Sequence, residues 1–411
     1  MFIRGNLVSV DQIRFQFPAL QQNIHGKDLV YFDWAATSHM PDFVLQKMTE
    51  SLTIEHGNVR RGVHTFGAYA TQNYEKARRT IARFINGCVD GVIMTSGTTH
   101  GLNILAQCAG ETLCEGDVVV LTEVEHHSHQ LPWRMMAQQK GFLIQYVPMD
   151  ENGRICMSRL QNILKTSRVR MIGLPYISNV LGTIQPIHDV VTLAQLYGIK
   201  VVVDAAQAVA HMPIDVQKLG IDAIAFGSDK MYGPAGIGAL WVEENWLKTF
   251  KPTMFGGGMI EEAGFEEIIF AQAPFAFEAG TPNVAGAVGM ASAIDWLQNI
   301  GWEEIEKQER ALRFFLQNAL SEIPQITLLC EKPDIPLFSF VLKDVHAHDI
   351  ATLCDLEGIM IRAGHHCVSP YHHKMGLTAS SRISLSFLNH ISECVYFVQT
   401  LGQIVKYMGE L

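Results

Sequence analysis

This chain has no long apolar run, no closely paired cysteines and little charge for its 411 residues. No stretch approaches the roughly 20 consecutive apolar residues that span a bilayer as a helix, so a transmembrane helix is excluded. The opening stretch MFIRGNLVSVDQIRFQFPAL lacks the apolar core and small-residue cleavage site of a secretory signal, and a cytoplasmic setting is expected. Asp11 is the expected N-cap of a short helix that Pro18 would end. No C-x-x-C occurs among Cys88, Cys108, Cys114, Cys156, Cys330, Cys354, Cys367 and Cys394, so neither a disulfide frame nor a cysteine-rich zinc site is expected. Internal repeats and low-complexity tracts are missing. So are the phosphate loop GxxxxGK[ST] and the dinucleotide fingerprint GxGxxG, since Gly233, Gly236 and Gly238 do not fit it. A net charge of −10 argues against a nucleic-acid partner, which would demand a basic surface.

With hydrophobic residues at 48% and charged residues at 18%, the composition is that of a globular enzyme, and the length implies two domains. Short β-rich runs at 91–95, 117–124, 142–148, 169–176, 200–204, 222–227 and 236–242 alternate with amphipathic stretches at 99–109, 131–140, 157–165 and 188–197. Strands alternating with helices predict a mostly parallel sheet covered on both faces, with ligands at the C-terminal ends of its strands. After about residue 284 the texture changes. A long amphipathic helix at 302–323 precedes strands near 326–330 and 337–343, a helix at 347–357, a strand at 382–387 and a helix at 391–408. This reads as a smaller α+β domain. The expected division is an N-terminal segment 1–23 packing on the small domain, a large domain 24–284 and a small domain 285–411. Cys354 lies in an apolar run and reads as core. Cys367 follows Gly364-His365-His366 and precedes Pro370, which places it on a loop.

Asp204 ends the valine run 201–203, and Lys230 follows the next strand. Each alone is a turn residue or a solvated lysine. At neighbouring strand ends they are the pair that a pyridoxal phosphate (PLP) enzyme needs: a lysine to hold the cofactor and an acid to keep its pyridine nitrogen protonated. Gln207 could donate to the ring hydroxyl. Thr95-Ser96-Gly97-Thr98-Thr99 closes a strand and opens a helix, which suits either a phosphate or an ordinary helix cap. In Glu125-His126-His127-Ser128-His129, His127 could stack on the ring. A metal site there lacks a defined ligand set.

In order and spacing, these stretches resemble the group II (Suf/Csd-type) cysteine desulfurases and selenocysteine lyases of the class V aminotransferase family. The shared stretches include Phe32-Asp33-Trp34-Ala35-Ala36, Ser96-Gly97-Thr98-Thr99, Glu125-His126-His127, Ser178-Asn179-Val180-Leu181-Gly182, Asp204-Ala205-Ala206-Gln207, Glu278-Ala279-Gly280-Thr281-Pro282-Asn283 and Arg362-Ala363-Gly364-His365-His366-Cys367. The resemblance implies the α/β fold type I of PLP-dependent transferases, with a seven-stranded sheet. It implies that Lys230 carries PLP as a Schiff base and shuttles protons. Asp204 would pair with the pyridinium, Gln207 with the ring oxygen, and His127 would stack on the ring. Thr98, Thr99 and Ser228 would bind the phosphate, and Thr281 would reach the cofactor of a second subunit in a homodimer. Asn179 and Arg382 would hold the substrate, with Arg362 shaping the cysteine loop beside it. Cys367 would take sulfur from L-cysteine as a persulfide, leave L-alanine, and pass the sulfur to an acceptor protein, with iron–sulfur cluster assembly as the usual role. The alternatives are a selenocysteine lyase acting on L-selenocysteine, another class V PLP lyase, and a non-catalytic scaffold on the same fold.

One segment departs from the family. Gly227-Ser228-Asp229 stands where Ser-Gly-His is usual, which brings an anion toward a phosphate. Like charges about 4 Å apart at an effective dielectric of about 20 cost roughly 4 kcal/mol. Either Asp229 turns away, or it is protonated, or PLP binds weakly. Trp34 replaces a small polar residue, and Arg60 stands where His is common, a position from which it could restore the lost charge.

Overall fold

The computed structural model describes residues 9–60 and 62–409. The large sheet has seven strands: β1 (Val92–Thr95), β2 (Asp117–Thr122), β3 (Leu143–Val147), β4 (Arg168–Pro175), β5 (Lys200–Asp204), β6 (Ala223–Gly227) and β7 (Gly238–Val242). Their order across the sheet is β1-β7-β6-β5-β4-β2-β3. β2 to β6 run parallel where they pair, and β7 is antiparallel to both β1 and β6. Runs such as Val118-Val119-Val120-Leu121 and Val201-Val202-Val203 are buried on both faces, which is why they read as unbroken apolar stretches rather than alternating ones. All seven strands fall where the sequence pattern predicts them, within a few residues.

The reversed β7 carries Gly238 to the edge where the parallel strands end, opposite Gly227 and Thr95. A Cβ on Gly238 would stand 2.7 Å from the Cα of Gly97, so only glycine lets this backbone pass. Gly97 itself has φ +146°, a conformation that L side chains rarely adopt.

The small sheet is antiparallel, with strands β8 (Ile326–Leu328), β9 (Leu337–Leu342), β10 (Arg362–Gly364) and β11 (Ser380–Ser384) in the order β8-β9-β11-β10. Helices Trp302–Ser321, Ala347–Leu356 and Ile391–Gly409 cover it.

Two boundaries differ from expectation. The core does not change at residue 284. Helix Val284–Ile300 buries Ala287, Met290, Ile294 and Trp296 in the large-sheet core. The small-domain core takes over from Leu312 onward in the next helix. Nor does the N-terminal segment belong to the small domain alone. Ile13, Phe17 and Leu20 enter the large-sheet core, while Arg14 pairs with Glu393 at 2.9 Å. Its short helix, Val10–Arg14, is capped by Ser9, not Asp11, in a reciprocal box with Gln12. Further on, Val30–Tyr31 pairs in parallel with Ile359–Met360, and Asp33 bridges to Ser384. The N-terminal strand is thus stitched to the last third of the chain.

Candidate active site

A cleft of about 400 Å³ opens at the C-terminal edge of β4, β5 and β6. Thr98, Thr99, His126, Asn179, Asp204, Gln207, Asp229, Lys230, Arg362, His366, Cys367 and Arg382 all line it. Residues as far apart in the chain as Ala35 and Arg382 therefore meet around one space.

Asp204 closes β5 and is 6% exposed. One of its oxygens accepts from the Ala206 amide at 2.9 Å. Burial pushes its carboxyl above the usual range, opposed by His129 and Lys230. A buried carboxylate held in this way fits a protonated ring nitrogen. Lys230 follows β6 on a single tight turn, with Nζ 3.6 Å from Asp229. Gln207 spends one amide hydrogen on the Ala35 carbonyl at 2.8 Å and keeps the other.

Helix Thr98–Gly110 starts at Gly97 with no side-chain cap, which leaves the amide groups of its first turn free for an anion. Thr99 Oγ1 meets Ser128 Oγ at 2.7 Å. Asp229 does not turn away from this anion site. Its side chain lines the same cleft as Thr98 and Thr99, and a Cβ on Gly227 would stand 2.5 Å from Asp229 Oδ1 and 3.4 Å from the Thr98 amide. Ser228 corrects the sequence reading: it is fully buried, and its hydroxyl, with no hydrogen-bond partner, presses against Gly233 rather than the cleft. Arg60 is likewise committed elsewhere. It pairs with Glu278 at 2.8 Å and Glu75 at 3.4 Å, in a network whose centre is the buried Arg78–Glu278 pair. Trp34 is buried among Tyr31, His39 and Tyr232.

His126 lines the cleft; His127 does not. His126 is the extended N-cap of helix His127–Lys140, and His127 is its first helical residue, so the two rings diverge. Burial and the nearby Lys230 push His126 down to about 4, which keeps it neutral. His127 faces the cysteine loop instead: its amide donates to the Cys367 carbonyl at 2.9 Å and its Nε2 meets Ser369 Oγ at 2.9 Å.

That loop is tightly held. His366 and Cys367 have φ of 50° and 58°, a strained conformation for residues with a Cβ. Asn179 Nδ2 donates to the His366 carbonyl at 2.7 Å. Ser380 Oγ lies 3.0 Å from His366 Nε2 and 2.8 Å from His372 Nε2. His372 Nδ1 meets the Val368 carbonyl at 3.2 Å, and a carbonyl only accepts, so His372 offers Nε2 as an acceptor to the Ser380 hydroxyl. Cys367 itself is exposed, at the junction of the cleft with a wider groove of about 1080 Å³ between helices Thr98–Gly110 and His127–Lys140.

Arg382 is buried on β11, with Nη1 donating to the Asn179 carbonyl at 3.0 Å. Arg362 stands directly opposite on β10. Asp33, which the sequence reading does not single out, binds both: 3.0 Å from Arg362 Nε and 3.2 Å from Arg382 Nη2. The signal available was a lone carboxylate inside the apolar run Val30-Tyr31-Phe32-Asp33-Trp34-Ala35-Ala36. Thr281 is exposed and does not line the cleft of its own chain.

Residues 30–397 match the family model for class V aminotransferases. The chain belongs to this family. It is 38% identical to a probable cysteine desulfurase of Halalkalibacterium halodurans, over 98% of this chain and all of that one. Two solved structures are similar at a TM-score of 0.89 and 33% identity. One is the apo cysteine desulfurase of Thermococcus onnurineus NA1, covering 95% of this chain and 98% of that one. The other is the cysteine desulfurase CsdA of Escherichia coli, covering 98% and 100%. PLP is the cofactor typical of class V aminotransferases, and the cleft fits it at the ring end through Asp204, Gln207, His126 and Lys230. At the phosphate end the uncapped helix start fits and the Asp229 carboxylate opposes.

Proposed function

We propose that this class V protein is a PLP-dependent cysteine desulfurase that converts L-cysteine to L-alanine and carries the sulfur on Cys367. The observation that carries this reading is the meeting of Lys230, Asp204 and an exposed cysteine around one cleft. Carbon–carbon or transamination chemistry has no use for a thiol there. Sulfur transfer requires one.

When bound, PLP supplies the electron sink for charge developing at the substrate Cα. Lys230 would carry it, and its amine stands in the cleft where it would take the Cα proton of a bound amino acid. Asp204 would keep the pyridine nitrogen protonated, and His126, not His127, is the histidine that would face the ring. Thr98 and Thr99 hold the phosphate together with the first amides of their helix. Arg382 grips the substrate carboxylate, as a planar fork suited to that group. Asn179 bridges Arg382 to the cysteine loop. The Cys367 thiolate then attacks the substrate sulfur: an S–S bond forms, the Cβ–S bond breaks, and its electron pair stays with the carbon skeleton, which is protonated to L-alanine.

Three wider features belong to the same proposal. The fixed loop favours an acceptor protein that comes to the persulfide, with iron–sulfur cluster assembly as the destination. A homodimer would cover the apolar hairpin at 260–270, where Phe265, Ile268 and Ile269 are exposed, and bring Thr281 to a second cleft. Eight unpaired cysteines suit a reducing, cytoplasmic setting. The rival scaffold reading has one observation in its favour, the Asp229 carboxylate at the phosphate end.

The deciding test is alanine production from L-cysteine by the PLP-loaded protein, first alone and then with excess dithiothreitol. One alanine per site without reductant and many with it is the expected result. Cys367→Ser should lose both while keeping the cofactor's absorbance. No alanine from a fully loaded wild type would reject the proposal.

A further inference from the structure

We infer that His129 is a positioning residue, a buried imidazolium that Glu125 holds behind Asp204 and that keeps Asp204 as the carboxylate a protonated ring nitrogen requires. This rests on the proposed placement of the PLP ring over Asp204. His129 does not line the cleft and is fully buried, as is Glu125. Its Nδ1 lies 2.8 Å from Glu125 Oε2. The other Glu125 oxygen accepts from the Thr122 amide at 3.1 Å and the Thr122 hydroxyl at 2.7 Å. Donors therefore converge on Glu125 from β2 and from the ring, and Nδ1 carries a hydrogen toward it. Nε2 is buried with no hydrogen-bond partner.

The ring lies against β4 at Gly173, where a Cβ would stand 2.8 Å from both Cε1 and Nε2, so only glycine admits it. Gly173 and Pro175 share a face of β4, and Pro175 is the register partner of Asp204 on β5. His129 and Asp204 thus lie on one face of the sheet, two residues apart along it. Glu125, His129, Asp204 and the ring nitrogen would form a row of alternating sign from the interior to the cleft. Without the cation, Glu125 and Asp204 would be two buried carboxylates repelling each other. Burial works against a charge on His129, but Glu125 and then Asp204 outweigh it and hold the imidazole above its ordinary value. Burial also pushes the Asp204 carboxyl up, and His129 is the first group to oppose it, ahead of the Ala206 amide and Lys230. The Lys230 amine would be committed to the cofactor, and His126, at the start of the same helix, stays neutral. His129 is then the lasting cationic support of Asp204.

The test compares PLP with 1-deazapyridoxal phosphate, in which a C–H replaces the ring nitrogen and cannot be protonated. Both are titrated into the cofactor-free protein and followed by fluorescence, without turnover. Wild type should bind PLP more tightly. His129→Asn should cut that preference about tenfold. Glu125→Gln should cut it by a smaller factor, because it removes a repelling carboxylate along with the charge that carboxylate holds, and it stands in if His129→Asn does not fold. Asp204→Asn tests the placement of the ring by itself. A preference that Asp204→Asn abolishes but the folded His129 and Glu125 variants keep, with both ligands weakened alike, would make His129 a packing residue and overturn the inference. A preference that Asp204→Asn does not move would reject the placement and the inference with it. Failure to form alanine from L-cysteine would sink the desulfurase reading and leave this binding ratio untouched.

Discussion

Single residues decide how well this cleft can hold its cofactor. The Asp229 carboxylate lies beside the free amides that open helix Thr98–Gly110, the place a phosphate would take. An anion there repels the phosphate, by roughly 4 kcal/mol at about 4 Å and a dielectric of about 20 before solvent screening reduces it. Asp229→Asn should therefore tighten PLP binding by about tenfold or more in a fluorescence titration of the cofactor-free protein. An unchanged affinity would mean that the carboxylate swings clear when phosphate enters. The sequence pattern announces Asp229 as a misfit, because it breaks a segment recognisable on either side. It does not distinguish His126 from His127. Adjacent residues differ by about 100° once a helix begins, and only the observed start at His127 reveals which ring faces the cleft.

Among the elements, legibility followed burial pattern. Five of the seven strands of the large sheet can be read as short apolar runs hidden on both faces, while edge strand β3 is largely exposed and can be read from its β-rich residues alone. Helix Val284–Ile300 left no comparable signal. Its residues are small and apolar nearly all round, so no stripe marks its inner face. Strand β10 was illegible for another reason: Arg362-Ala363-Gly364 has no β-branched residue, and it is held in place by β11. The hairpin formed by Ile260–Ala263 and Ile268–Phe270 matters at this scale too. It carries exposed Phe265, Ile268 and Ile269 with no cover in its own chain among the described residues. Replacing these three by Ser should convert the proposed dimer to a monomer in sedimentation equilibrium. A dimer that persists would place the subunit contact elsewhere.

For the whole molecule, acid is the expected weakness. His39, His100, His126, His127, His366 and His372 are all held below the ordinary imidazole value, chiefly by burial. Only His129, paired with Glu125, is raised despite burial. A depressed group takes up its proton in the unfolded chain first. Its contribution is therefore complete above about pH 6.5 and is lost as pH falls toward the folded value, which is about 4 for His126. His129 and the carboxyls Asp204, Asp295 and Glu309, all raised, act in the opposite direction, but four groups do not offset six. The melting temperature should fall between pH 7 and pH 5, and a flat or rising profile would contradict this account. The seam between the chain's two ends has a consequence for synthesis. Asp33 leaves the ribosome well ahead of its partners, since Arg362 and Arg382 lie 329 and 349 positions later. The large sheet can assemble while the chain is still growing. The pocket proposed to recognise an amino acid cannot, so a nascent chain carries an assembled scaffold long before Arg362 and Arg382 emerge to complete that site.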